Sequence, residues 1–531
     1  MTYNVVQPQK TKTGMRYYLY EVTAEWDPEK KRSRQKRRYL GPCDEEGNLV
    51  KEPIKKQTIV RSPSYGPYYV MEHIARESGI DRTLCSIYGE KDGRKLLALA
   101  ILGVTDPCSI DLIEETVDDT YLRELMGLEW TFEQSEVCRF LQRMGEDAGS
   151  REELFSELSP KEGCVIFDIV CLGTDSEGRE YSEAGRKTRL TGSKQFNLGM
   201  VHSMEDGLPF CYRTYPGSIA DVVTLDIIVS DLQRMGCGPF EMVMDRGFFS
   251  AGNIQLMIER SSGFTVPIPA RNNIQKLLIS DSVKEIESPL NTDFLGDSSV
   301  RGYETKVVLE DGEFDLDANG TIRAVVFQDD ARRQIEVSTL YRRLSEMESF
   351  LDENDFDPLL PKKLSAKQLE IFNLLEVTDI GGRNAFQRKR NAITAKENAC
   401  GRFAVLTTST LPWKDLMIEY RMRNEVEYDF SQLQSDLFMG VKGRSVQKSA
   451  EGGLLVNFIS LRLRLMLLNR MKGSDLTDEM WIPKLMKIMR KLRITKVGDE
   501  WRLNEVTRKQ REILSKLGIP LLRPSINSMH K

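Results

Sequence analysis

Histidine is nearly missing. The chain has three in 531 residues, and its nine cysteines are scattered without a C-x-x-C pair. That usage argues against zinc and against a disulfide framework, and it suits a reducing cytoplasm. A membrane-length apolar run is lacking too. The longest, "GGLLVNFISLRLRLMLL", is broken by Arg462 and Arg464 and reads as a buried helix. The start, "MTYNVVQPQKTK", has no apolar segment of the kind that directs secretion. Nor is there a global excess of positive charge, the net being −5, so overall charge does not announce a nucleic-acid binder.

Positive charge is instead local. Residues 1–61 hold 14 Lys+Arg against 8 Asp+Glu. The stretch "EKKRSRQKRR" gathers Lys30, Lys31, Arg32, Arg34, Lys36, Arg37 and Arg38. Such a run is either a solvated hairpin or a phosphate contact.

The length suits two to four domains, and pattern divides the chain. Residues 1–60 alternate in strand fashion ("RYYLYEVTAEW") and form a basic β element. Residues 61–160 show helical periodicity ("GRKLLALAILGV", "EQSEVCRFLQRMGEDA"). Residues 161–270 run strand, strand, strand, helix, strand, helix. Within them, "QFNLGMVHSMEDGLPFCYRTY" reads as two strands turning at Asp206-Gly207, and Ser250 caps the last helix. Residues 271–400 break that rhythm with polar strands and charged helices, an α+β insertion into an α/β core. Residues 401–475 restore it with "GRFAVLTTST" and a helix, and residues 476–531 form a basic C-terminal region.

The helix after "GRFAVLTTST" contains "YRMRNEVE". With Tyr420 at zero and about 100° per residue, Met422, Val426, Phe430, Leu433 and Leu437 fall within roughly 200–280°, one apolar stripe. Tyr420, Arg423, Glu427 and Gln434 form a polar stripe along its edge, and Arg421 falls on the far, solvated face. Two readings are open. One is a half-buried Arg423–Glu427 pair at i, i+4. The other is a carboxylate aimed into a cleft, with Arg and Tyr beside it to hold an anion.

Two aspartates bear on the choice. Asp168 interrupts the apolar strand "VIFDIV", where a carboxylate is costly unless paired, hydrogen-bonded or metal-bound. Asp245 ends "EMVMDRG", and ligands of open α/β sheets collect beyond the carboxyl ends of strands. An idle strand-end Asp and a turn-forming Asp are the alternatives. If both converge with Glu427, three carboxylates without His or Cys make a hard-oxygen site suited to Mg²⁺ or Mn²⁺. Two such ions suit phosphoryl transfer. Arg423 would then grip a phosphate.

These residues resemble the DDE transposases of prokaryotic insertion sequences, and among them the IS-four-like group marked by Y-x2-R-x3-E-x6-K. Tyr420, Arg423 and Glu427 match that spacing, while Gln434 stands at the lysine position. "VIFDIV" and "MVMDRGFFSAGN" resemble the segments of the first and second Asp. "YPGSIADVVTL" resembles the segment between them, with Ser218 where Asn is usual. The resemblance spans roughly residues 160–470.

The resemblance implies an RNase H-like mixed-sheet core interrupted by the insertion. It implies Asp168, Asp245 and Glu427 holding two Mg²⁺ ions, replaceable by Mn²⁺. It implies cleavage at terminal inverted repeats and strand transfer into target DNA, with double-stranded DNA as partner. It also implies a homodimer in the synaptic complex and a cytoplasmic, nucleoid-associated location. Tyr420, Arg423, Gln434 and Lys194 would contact DNA there, with the Lys30–Arg38 run binding the ends and the 385–391 run, "AFQRKRN", near the cleavage point. A nuclease that does not join strands, or a domesticated DNA-binding protein, are the alternatives.

Overall fold

The computed structural model describes residues 2–11, 14–27, 32–50, 59–174, 183–184, 194–219, 221–296, 298–308, 321–423, 447–497 and 500–521. The chain divides into two compact units. The smaller comprises Met1–Ser62, Ile494–Asn504 and Arg523–Lys531, the larger Pro63–Arg493 and Glu505–Leu522.

The smaller unit begins with β1 (Thr2–Thr11), β2 (Gly14–Asp27) and β3 (Arg32–Cys43), an antiparallel sheet in that order. Alternation sends Leu19 to one face, where Gly47, at φ +89°, lies against Leu19 and Val6. A short strand, β4 (Ile59–Arg61), ends this N-terminal stretch.

In the larger unit the helices come first. Gly66–Ser78, Ile80–Tyr88, Glu90–Thr105, Gln134–Glu146 and Ala148–Leu158 match the helical periodicity of this stretch. The long helix Gln447–Lys472 packs on two of them, Glu90–Thr105 and Gln134–Glu146. Gly145 and Gly452 make that packing possible. A Cβ on Gly452 would strike the Leu141 carbonyl, and one on Gly145 the Lys448 carbonyl. Arg462, inside the apolar run, is half-buried and donates to the Pro209 carbonyl at 2.7 Å. Among the described residues no single helix is long and apolar enough to cross a membrane.

The α/β part is built on one ten-stranded mixed sheet. β5 (Gly163–Thr174), β6 (Glu183–Ala184), β7 (Lys194–Ser203) and β8 (Pro209–Pro216) come first. β5, β7 and β8 form an antiparallel meander, and the turn between β7 and β8 contains Gly207 at φ +69°. Helix Asp221–Arg234 leads to β9 (Phe240–Met244), parallel to β5. Helix Ala251–Glu259, capped by the Ser250 hydroxyl accepting from the Asn253 amide, leads to β10 (Gly263–Pro267), parallel to β9.

The sheet then continues into the stretch read from sequence as an insertion. β11 (Thr292–Leu295), β12 (Ser298–Val308) and β13 (Thr321–Asp329) form a meander. Helix Asp330–Asp352 and the hairpin of β14 (Leu375–Ile380) and β15 (Arg383–Arg388) enclose a core of their own around Leu340, Leu344, Leu351 and Leu375. β16 (Arg402–Thr407) then inserts between β13 and β10, antiparallel to both. The full order is β11-β12-β13-β16-β10-β9-β5-β7-β6, with β8 also paired to β7. Two last strands, β17 (Ile494–Val497) and β18 (Glu500–Leu503), pair as β18-β17-β4 in the smaller unit.

Candidate active site

β5 is fixed by its apolar content. Val165, Ile166 and Phe167 are buried, and Asp168 follows them half-buried. In β9, Met242, Val243 and Met244 are buried, and Asp245 comes immediately after. The parallel register pairs Phe167 with Met244. Asp168 is the next residue of β5 and Asp245 the first residue after β9, so both follow the last register pair of these parallel strands. The Asp168 carboxylate accepts from the Ile169 amide at 2.8 Å. Asp245 caps the short turn Arg246–Phe248 with its backbone carbonyl, which accepts from the Phe248 amide at 3.0 Å, and its side chain makes no cap bond.

The third element is the helix whose described part spans 413–423. It lies over Val300 and Val325 and over Phe327, Phe403 and Val405, through Leu416, Met417 and Tyr420. Its start is tied down. The Trp413 ring lies on Gly302, where a Cβ would strike it, and the Trp413 amide donates to Glu304 Oε1 at 3.1 Å. Arg421, placed by periodicity on the solvated face, is instead half-buried. It donates to the Leu295 carbonyl at 2.6 Å, to the Ser298 hydroxyl at 2.7 Å and to Asp329 at 2.9 Å. The reason is β11 to β13, which build a wall beside the helix that local pattern does not reveal.

Arg423 is the most buried charge on the described part of this helix, with a side chain 4% exposed. Its Nη2 stands 3.4 Å from Asp245 Oδ1. Its guanidinium also lies 5.4 Å from the centre of the Tyr420 ring, which packs on Phe403 with ring centres 5.0 Å apart. The structure thus brings Asp245, Arg423 and Tyr420 together, with Asp168 one residue beyond the last β5–β9 register pair. Glu427 and Gln434 lie outside the described residues, as do the Lys194 side chain, Lys30, Lys31 and the side chains of Arg32 and Arg34. Lys36, Arg37 and Arg38 are exposed on β3 in the smaller unit, with Lys36 paired to Glu25 at 3.1 Å. In the 385–391 run, Arg388 grips Glu348 through two bonds of 2.7 and 2.8 Å, and Lys389 donates to the Asn373 carbonyl.

One residue of this helix escaped the sequence reading. Glu419, one turn before Arg423, has a carboxyl oxygen buried without a hydrogen-bond partner among the described residues. Desolvation first, then Glu241 and Asp415, push its pKa up to about 7. Glu241 accepts from the Thr265 hydroxyl at 3.0 Å, and Thr265 and Thr407 are joined at 2.7 Å. The signal was present, since on the wheel Glu419 falls inside the apolar stripe.

The donor set on the two strands is carboxylate oxygen, a chemistry that fits Mg²⁺ with waters and phosphate completing the shell. Among the described residues no group of three or more His, Cys, Asp or Glu is close enough to hold a metal alone.

No known family's sequence profile matches the chain, and no curated protein does. Among solved structures, the chain is similar to a piggyBac transposase seen by cryo-electron microscopy in a synaptic complex with hairpin DNA. The TM-score is 0.38 at 10% identity, over 88% of this chain and 89% of that one. A likeness of that depth leaves the functional reading to this chain's own residues.

Proposed function

We propose that the protein is a DNA transposase of the DDE type, with an RNase H-like core formed by β5, β7, β8, β9 and β10. The observation that supports the reading is that Asp168 and Asp245 each follow the last register pair of adjacent parallel strands, Phe167 with Met244, with the buried Arg423 reaching Asp245. A core needs no such arrangement, because two neighbouring carboxylates repel and a desolvated guanidinium is costly. A site for a cation and a phosphodiester needs all three.

Asp168, Asp245 and Glu427 are the residues that would hold Mg²⁺. When bound, the metal would supply charge to activate water and to stabilise the leaving oxygen. The chain's own groups do the rest. Arg423 orients the Asp245 carboxylate, and its planar fork is suited to a phosphate oxygen. Tyr420, stacked between Phe403 and the guanidinium, holds Arg423 in place and offers a hydroxyl to DNA. The proposed substrate is double-stranded DNA at terminal inverted repeats, with strand transfer into a target and a homodimer holding two ends. A cytoplasmic, nucleoid-associated location follows from that substrate.

The test uses a labelled DNA fragment carrying the sequences that flank the gene, with and without Mg²⁺, followed by addition of supercoiled plasmid. Metal-dependent cuts at a repeat boundary, then covalent joining to the plasmid, support the reading. Cutting without joining would make the protein a nuclease. Binding without cutting in Mg²⁺ would remove the enzyme reading.

A further inference from the structure

The three-stranded sheet of the smaller unit has two chemically different faces. On one, the β2 carboxylates meet the β3 cations. Glu21 is opposite Arg38, and Glu25 pairs with Lys36 at 3.1 Å. These cations, part of the basic run, are already balanced. The other face alternates out of register with it and presents Tyr3 from β1, Arg16, Tyr18 and Tyr20 from β2, and Arg37 and Tyr39 from β3. No described carboxylate shares that face.

The register is supported by contacts. The Tyr20 and Tyr39 ring centres are 5.4 Å apart, those of Tyr18 and Tyr39 are 6.1 Å apart, and the Gln35 amide donates to the Tyr3 hydroxyl at 3.3 Å. Val22, opposite Tyr3 and Arg37, is buried, so the rings surround an apolar floor. Tyr3 and Tyr39 keep 44% and 51% of their surface exposed, and Arg16 and Arg37 are exposed as well.

We infer that this face is a stacking platform for single-stranded DNA. Exposed rings on a flat sheet take the faces of unpaired bases, and arginines beside them take the phosphates. Duplex DNA hides its base faces and offers the rings nothing. Charge complementarity fixes the partner class, because the face is cationic and aromatic at once. That the strand is DNA rests on the proposed function. The platform would then hold strands unpaired during transposition.

The test measures fluorescence anisotropy of labelled dT20, rU20 and a 20-base-pair duplex with the full-length protein, in EDTA so that cleavage plays no part. Wild type is expected to bind dT20 at least tenfold more tightly than the duplex, and at least as tightly as rU20. Tyr18→Leu with Tyr39→Leu should weaken dT20 binding about tenfold or more, since each stacked base contributes about 1–3 kcal/mol. Tyr39→Trp keeps a ring there and should retain binding. Arg16→Gln with Arg37→Gln should reduce the slope of log affinity against log salt by about 1.4, at about 0.7 per phosphate on a single strand.

Duplex bound as tightly as dT20, rU20 bound more tightly than dT20, or unchanged dT20 binding in the double leucine variant would each overturn the platform. Cleavage of repeat ends by a protein that fails the dT20 test rejects the platform alone. Retained dT20 binding without cleavage rejects the active-site reading alone.

Discussion

Arg423 reaches Asp245 across the sheet face, Nη2 to Oδ1 at 3.4 Å, from a side chain only 4% exposed. The contact joins the helix of the "YRMRNEVE" motif to the strand end of the second aspartate. These segments are far apart in sequence, and only the fold makes them neighbours. A guanidinium so desolvated contributes little stability for its cost unless its partner and orientation serve something else.

That coupling is measurable. In a double-mutant cycle of Arg423→Met and Asp245→Asn, urea unfolding should give an interaction energy of about 0.5–3 kcal/mol. Arg423→Met alone should lower stability more than the double variant, because it leaves the Asp245 carboxylate without its cation. Additive effects would mean that the pair is not coupled in solution.

Glu419 predicts a pH dependence. Its folded pKa of about 7 lies above the usual carboxyl value, so the folded state favours the neutral acid. Its favourable contribution is full below about pH 4.3, the ordinary glutamate value. It is lost as pH rises through about 7. Relative to wild type, Glu419→Gln should therefore gain thermal stability between about pH 5 and 8. Melting curves taken across that range check it, and parallel wild-type and variant profiles would contradict the burial assigned to this carboxyl.

Gly452 and Gly145 set the approach of two helices. Gly452→Ala should destabilise the larger unit by about 1–3 kcal/mol, the usual cost of forcing atoms into a packed contact. Calorimetry reads it as a lowered Tm. Gly149→Ala, on a neighbouring helix where an added Cβ meets only the far end of Asp147, is the control.

Trp413 and Arg421 predict that the helix carrying Arg423 is held from the β11–β13 side. Arg421→Ala breaks the bonds to the Leu295 carbonyl, Ser298 and Asp329. It should lower metal-dependent DNA cleavage while leaving DNA affinity within about twofold. An equal loss of both would give Arg421 a DNA contact instead of a positioning role.

Much of the fold was legible because it is local. The β7–β8 hairpin follows from Asp206-Gly207 between alternating strands, and the helix after β9 from its Ser250 cap. Asp168 and Asp245 were legible as polar residues where apolar ones belong. What local pattern could not give was pairing across long stretches of chain. β16 joins the β11–β13 meander to the main sheet through partners such as Phe327 and Phe403. That pairing turns the supposed solvated face of the helix into a contact and gives Arg421 its partners. Glu419 lies within the apolar stripe, and Glu241, which helps to raise its pKa, comes from β9, far away in sequence.

The most direct measurement compares wild type with Asp168→Asn, Asp245→Asn and Glu427→Gln on repeat-end DNA in Mg²⁺ and in Mn²⁺, with DNA binding measured beside cleavage. The account predicts metal-dependent cutting by wild type and at least a hundredfold loss in each variant at undiminished DNA binding. Cutting that survives in Asp168→Asn or Asp245→Asn would contradict it, because the chemistry would then belong to residues other than this carboxylate pair.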